Sequence, residues 1–505
     1  MRPVKLASAV TSAVIAAAIS SSALADKASD TLNIAFEASV ATLDFYFLNI
    51  DEGYSIAQSV CDTLVFRDPE TMEIKPLLAT SWEWTGPKQI DMTLREGVKF
   101  HNGETFDADD VVFTLNWASD PKTGAYGQVM VDWIDHVEKL EPYKVRIYQK
   151  AESRAVLDQL SSGLPIYPAD YYKEVGTEGF SAQPICTGPY KVTSVETGAE
   201  VVLERNEDYF EGSPKGKAQI SRIVMRSVQD ANTRMAELMT GQVDFIYKLT
   251  ADQADQLKNV PDLTLSQIRG TRIAYMMFNP VNPPADSPIK DVRVRKAIAH
   301  AIDRDGIVAN LIRGVSTRLD TFCNPVMPGC IDGVFTYEHD LDKAKALLAE
   351  AGYPNGFNID IYAYRDRFVT EALICDLQKV GINANLNYMQ YASLDENWRN
   401  GNLSIAHQTW AGFGLMDAGN HLVSHYLGPD SITQDEAIKD KVRAGFVAPT
   451  PEERDADYGE ALKMLAEGVY WVPLYIVTEN YAFTKDLEYQ PSNDGINRFY
   501  FAKWK

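Results

Sequence analysis

Apolar and polar positions along this chain switch repeatedly between a period of two and a period near 3.6. Thr31 to Phe36 predicts a strand, and the loop EASVATLDFYFLN follows it. Residues 54–66 predict a helix leading into a strand. IDMTLR, 90–95, alternates as a half-buried strand does. Asp107 is the predicted N-cap of the next helix, because Asp110 stands three residues on and an apolar run follows. Lys144 to Tyr148 predicts a strand and 153–161 a helix. Residues 186–205 predict a hairpin, two alternating runs parted by Glu196-Thr197-Gly198. A helix at 231–241, closed by Gly241, precedes a strand at 243–247. Within 275–304 prolines cannot sit inside a helix, so the helix begins after Pro288. Val294, Ile298 and Ile302 then recur at spacing four and make one buried face. Helix 341–351 ends at Gly352 before a strand from Phe357 to Tyr364. Helix 368–380 ends at Gly381 before a strand from Ile382 to Tyr388. The alternation predicts an α/β fold. With no internal repeat and no Gly/Ser-rich linker, its domains are expected to be joined by several ordered crossings.

The first 25 residues change the picture of where the protein works. Arg2 and Lys5 form a short basic region, residues 6–19 are apolar, and Ala23-Leu24-Ala25 is a cleavage site. This reads as a secretory signal peptide with the mature chain starting at Asp26. The apolar run is shorter than the ~20 residues that span a bilayer. No Cys follows the cleavage site to carry a lipid. A soluble protein of a Gram-negative periplasm is expected. Removing the signal takes away two positive charges, so the net charge of −22 becomes −24. Such acidity disfavours nucleic acid and anionic lipid, and its simplest role is solubility. The length suits two or three domains.

There are five cysteines, and an oxidising compartment permits disulfides. Cys323 and Cys330 flank NPVMPG, which can turn back on itself, so this pair is expected to form the one disulfide. Cys61, Cys186 and Cys375 sit in apolar contexts and are expected to be buried free thiols. No C-x-x-C is present. The nucleophile elbow, the P-loop and the Rossmann fingerprint are absent as well. Asp109 and Asp110 are adjacent on a helix and point apart, so capping and solvation explain them better than acid–base work. His421 and His425 share a helix face at a spacing that can hold metal, but no Glu lies between them as in HExxH. No cofactor is expected.

Residues 78–117, LATSWEWTGPKQIDMTLREGVKFHNGETFDADDVVFTLNW, closely resemble a signature of the dipeptide/oligopeptide/nickel family of extracytoplasmic solute-binding proteins, the receptors that feed ABC importers. TGPYKV at 187–192, RNEDYFEGSP at 205–214, NTRMAELMTGQVDF at 232–245, DVRVRKAIAHAIDR at 291–304 and LLAEAGYPNGF at 347–357 resemble further elements of that family, in order. The resemblance implies two lobes, one carrying an inserted domain, with ligand buried between them. Lobe one would be 26–62, 186–274 and 479–505, the inserted domain 63–185, and lobe two 275–478. It implies a monomer that captures a small solute, closes by a hinge, and docks on a membrane permease driven by an ATPase.

Three segments resemble the family's cleft: Leu43, Asp44, Phe45 and Tyr46; Arg365 to Arg367; and Trp410 to Asp417, with Ala411 and Phe413 inside it. In dipeptide receptors an arginine at the start of the helix ending in KVG clamps the peptide carboxylate. Counting back from Lys379-Val380-Gly381 places it at Arg367, whose fork suits a carboxylate. The same receptors have W-x-G-D, where the acid binds the free amine. Phe413 stands in that place here, with Asp417 the nearest acid. This departure puts ordinary dipeptides in doubt and favours a modified peptide, an opine-like conjugate or a sugar derivative with an anionic group. Trp410 could face the cleft or the core. Two other functions stay open: a periplasmic hydrolase of peptides or glycosides, and a metal or metal-chelate receptor on the same fold. The hydrolase lacks any recognisable nucleophile with a base, or a facing carboxylate pair.

Overall fold

The computed structural model describes residues 27–48, 50–125, 128–153, 156–412, 415–427, 431 and 433–505. The expected signal peptide and Phe413 lie outside these residues. The fold is α/β and two-lobed. Its spine is an eleven-stranded mixed sheet. At the centre run two long antiparallel strands, Leu263–Phe278 and Trp471–Thr484, which pass from one lobe to the other. Phe245–Tyr247, Thr31–Phe36, Arg222–Ser227, Glu200–Arg205 and Tyr190–Glu196 extend the sheet on one side. Ile405–Trp410, Phe357–Ala363 and Ile382–Tyr388 extend it on the other.

The hydrophobic side chains divide accordingly. One core gathers residues from Leu32 to Tyr247 with the C-terminal Tyr481 to Ala502. A second gathers Ile273 to Ile476. Between them the crossing strands slip register: Arg269 faces Thr478 and Ile273 faces Ile476, so three residues, 270–272, stand opposite one, Val477. Such a bulge bends a strand and breaks the ladder. Gly270 sits in it. A Cβ there would stand 2.7 Å from Cγ of Glu479, so a larger residue would push that side chain aside.

A separate four-stranded antiparallel sheet, with strands Ala79–Gly86, Gln89–Leu94, Lys144–Gln149 and Ile134–Glu141, packs on the first core. Helix Ala108–Ser119 begins as expected, with a capping box. Asp107 accepts from the Asp109 amide at 2.7 Å, and the Asp107 amide donates to Asp110 at 2.9 Å.

The cysteines correct the sequence reading. Cys323 and Cys330 are bonded, with Cα atoms 5.9 Å apart, but so are Cys61 and Cys186, 4.9 Å apart. Cys375 is free and exposed rather than buried. Cys61 closes helix Asp51–Val60 and Cys186 precedes the hairpin, so the second bridge ties together the two places where the chain leaves and re-enters the sheet side of this lobe. A fully buried ion pair, Asp62–Lys215 at 2.8 Å, lies beside it, and Thr187 and Tyr209 donate to the same carboxylate. Apolar flanks cannot show which distant cysteine shares that interior; only Cα separation and direction do.

Candidate functional site

A cavity of 360 Å³ opens between the lobes where the crossing strands slip. Asp51 and Lys248 reach it from the first lobe, Arg365 and Asp366 from the second, and Arg272 and Glu479 from the crossing strands themselves. A small adjoining void is lined by the same Asp51, Lys248, Arg272 and Glu479, together with Ala411. Charged groups in an apolar, enclosed space fix a ligand's orientation more strongly than surface groups do.

Two guanidinium groups converge on one hydroxyl. Arg365 Nη1 donates to Thr409 Oγ1 at 3.2 Å, and Arg272 Nη1 approaches the same oxygen at 3.5 Å. Tyr364 shares a hydrogen bond with it at 3.2 Å. Thr409 is placed by strand Ile405–Trp410, which pairs with the first crossing strand at Ala274. The remaining partners are acidic: Asp366 lies 3.3 Å from Arg365, and Asp51 3.9 Å from Arg272. Lys248 holds Asp51 at 3.1 Å and Glu52 at 2.9 Å. Burial raises the Glu479 carboxyl above the ordinary carboxylate value; Arg272 opposes the rise and Asp51 adds to it.

The backbone at Asp366 decides which arginine enters. Its φ of 48° is left-handed, a conformation that Asp tolerates better than most residues. Helix Arg367–Gln378 starts immediately after it. Arg365 therefore lines the cavity, while Arg367 is 64% exposed and pairs with Glu371 at 2.8 Å on the outer helix surface.

The other sequence-derived candidates lie as follows. Asp44 is fully buried and accepts hydrogen bonds from Tyr172 at 2.5 Å and Tyr167 at 3.1 Å. Leu43, Phe45 and Tyr46 are buried around it, and Tyr46 stacks edge-on to Trp117. Trp410 ends its strand half-buried, with its ring edge-on to His421 at 4.4 Å. Asp417 caps helix Ala418–Tyr426 and pairs with Arg454 at 2.6 Å. His421 and His425 stack on each other at 4.5 Å and pack against Trp471 in the second core. Among the described residues no three His, Cys, Asp or Glu side chains come together to hold a metal ion.

Arg272, Glu479, Asp51, Lys248 and Thr409 were not singled out by the sequence. Two of them carried a signal: Arg272 in TRIAYMMF and Glu479 in YIVTENYAF are charges set into apolar strand runs, and buried charges ask for a partner. A larger groove, 840 Å³, runs along helix Ala108–Ser119. Several of its carboxylates are already committed, Asp107 and Asp110 to the helix cap and Asp109 to Lys139 at 2.7 Å. The interlobe cavity brings three cationic and four carboxylate side chains together between the lobes, and is therefore the candidate site.

With fold and cleft in view, the chain matches the family model for bacterial extracellular solute-binding proteins, family 5, over residues 73–431. The chain belongs to this family, whose members are the substrate-binding proteins of ABC importers. It is 28% identical over 477 residues to the heme-binding protein A of Haemophilus influenzae, covering 86% of this chain and 85% of that one. It is 30% identical over 370 residues to the glutathione-binding protein GsiB of Escherichia coli K12, covering 70% of this chain and 69% of that one. The solved structure of HbpA2 from Haemophilus parasuis superimposes with a TM-score of 0.81 at 26% identity, covering 94% of this chain and 100% of that one. These relatives are solute-binding proteins rather than enzymes. No helix among the described residues is long and apolar enough to cross a membrane.

Proposed function

We propose that this protein is a non-catalytic periplasmic receptor that captures a small polar solute bearing an anionic group and delivers it to an ABC permease and its ATPase. The single observation that carries this reading is that Arg272 and Arg365 both line the interlobe cavity, held side by side by the hydroxyl of Thr409 behind them. Two guanidinium forks in a low-dielectric cleft favour a carboxylate or phosphate. The cavity lies where the lobes meet at the crossing strands, so a bound solute would touch both lobes and favour their closed arrangement. The division into 26–62 with 186–274 and 479–505, 63–185, and 275–478 is part of this proposal. The two separate cores support the parting of the lobes, and the separate four-stranded sheet and the Cys61–Cys186 disulfide support the insertion within lobe one. Arg365 and Arg272 take the anion-binding role, and Arg367 none.

Mass spectrometry of small molecules released on denaturing the protein purified from a periplasm tests the proposal. The expected result is a small acid that, added back, raises the melting temperature without being consumed. Binding to the folded state alone stabilises by about 2.7 kcal/mol at a hundredfold excess over Kd. Arg365→Ala and Arg272→Ala should each cost about 2–5 kcal/mol of affinity in calorimetric titration, and Arg367→Ala essentially nothing. Steady conversion of the solute to product would instead make the protein a hydrolase.

A further inference from the structure

Resting on the closing two-lobed receptor proposed above, we infer that Arg313 is a strained clasp on the rim of the cleft. It holds the lobes together without solute while its own backbone works to part them. Arg313 follows a short π-helix, Val308–Ile312, and its amide closes the last turn on the Val308 carbonyl at 2.8 Å. Its φ of 58° and ψ of −158° fall in a region that essentially only glycine occupies, because a Cβ there crowds the backbone. Glycine stands one position on: Gly314 takes a φ of 63° and lies against Thr478, whose Cγ2 would be 2.9 Å from an added Cβ. What the Arg313 side chain reaches explains an arginine in the costlier place. Its Nη1 pairs with Asp255 at 2.9 Å, and its Nη2 pairs with Asp252.

The two carboxylates belong to lobe one. They share a face of helix Ala251–Leu257, which Thr250 starts with a capping box, and Leu257 anchors that helix in a small core with Ala35 and Ala482. Arg313 belongs to the second lobe and is tied there to the crossing strand. Thr478, the last residue paired before the register slip, donates to the Arg313 carbonyl at 3.1 Å. Ser316 donates to the Ile476 carbonyl at 2.6 Å just beyond the slip. Leu311 and Ile312, in the turn that Arg313 closes, line the interlobe cavity together with Leu249 and Ala251 of lobe one. The ion pairs therefore bridge the lobes beside this cavity. Strain of this kind persists only while surrounding contacts over-determine it. The pairs to Asp252 and Asp255 cross between the lobes, so parting the lobes frees residue 313 to relax. The two carboxylates are 81% and 58% exposed, so the pairs are weak and salt screens them. Weak pairs set against strain make a balanced clasp, which closes an empty cleft without locking out an entering solute.

The test is the closed-to-open ratio of the unliganded protein, read by single-molecule energy transfer. One dye sits on the free, exposed Cys375 of the second lobe and the other on Met239→Cys, at an exposed position of lobe one. In the parent the ratio should fall as NaCl rises from about 20 mM to about 500 mM. Arg313→Ala keeps the strain and loses the pairs. Asp252→Asn with Asp255→Asn loses the pairs and leaves residue 313 as it is. Each should lower the ratio at least about twofold and flatten its response to salt. Arg313→Gly loses pairs and strain together, and should be at least about threefold more closed than Arg313→Ala. A purely structural residue 313 would move the melting temperature and leave those two variants with one ratio. Equal ratios in Arg313→Ala and Arg313→Gly, a ratio that neither salt nor the carboxylate variants change, or a parent wholly open without solute would overturn the inference. The anion-binding reading would survive any of these results, because it is tested with solute and through Arg272 and Arg365.

Discussion

Arg365 and Arg367 are two positions apart, and one left-handed residue between them sends the first into the cleft and the second to solvent. Sequence spacing from a helix end cannot resolve such a choice, because the turn before the helix sets the register. Asp44 makes the same point from the other side. It stands in a segment that resembles a cleft loop, yet two tyrosine hydroxyls hold it inside an aromatic core. Titration also belongs to this scale. Burial lowers His101, His407 and His425 to about 4, and His421 further still. Each is neutral when folded but binds a proton near pH 6.5 when unfolded. The stability they contribute is therefore complete above about pH 6.5 and is lost as pH falls towards 4. Asp110 and Asp158, raised by burial to about 6, and Asp44, Asp417 and Glu479, raised as well, act in the opposite sense as they take up protons in the fold. Urea unfolding of the parent and of His407→Gln between about pH 6.5 and 4.5 separates the histidine contribution to the slope of stability with pH. His407→Gln should flatten that slope by about one proton; an unchanged slope would show that His407 charges without penalty.

At the scale of elements, the helices with local signals were legible. The capping box at Asp107, the glycines after helices Ala231–Met239, Leu341–Glu350 and Arg367–Gln378, and the strand Ile382–Tyr388 all follow from residues within a few positions of each other. The two crossing strands were not, although they are the longest in the molecule. Charges and glycine interrupt their apolar pattern where they leave one lobe for the next, and neighbours from distant segments cover what the pattern leaves open. The Cys61–Cys186 bridge was missed for a related reason: its partners are 125 residues apart. Titration of the denatured, unreduced protein should find one thiol, Cys375, of the five cysteines. Replacing Cys61 and Cys186 together by serine should cost about 2–5 kcal/mol of stability. Finding three thiols would mean that this bridge does not form.

For the molecule as a whole, the segment after Trp410 is where the second lobe reaches into the first. Leu415 packs in the first lobe's core although its chain neighbours belong to the second. The Met416 amide donates to Asp158 at 2.7 Å, and Asp158 is paired with Arg67 at 2.5 Å. Arg313 pairs across the other rim with Asp252 and Asp255. These contacts exist only while the lobes are together, so they weight the closed arrangement. Burying a leucine contributes roughly 1.5–3 kcal/mol. Leu415→Ala should shift the population towards an open form, seen as a larger radius of gyration in X-ray scattering of the unliganded protein, and weaken the recovered solute about tenfold or more. Scattering and affinity identical to the parent would show that Leu415 does not help to hold the lobes together.

The sequence by itself determined the α/β class, the family and most local elements, because caps, glycine stops and alternating runs act over a few residues. It also supplied the Cys323–Cys330 pair, which lies across a single turn. Tertiary structure alone decided the cleft. Arg272, Arg365, Thr409 and Glu479 come from four separate stretches of chain, and their meeting depends on a register slip between strands about two hundred residues apart. Whether a charge is paired, buried or aimed at a ligand is a property of what surrounds it in space. Neither the residue nor its immediate neighbours carry that information.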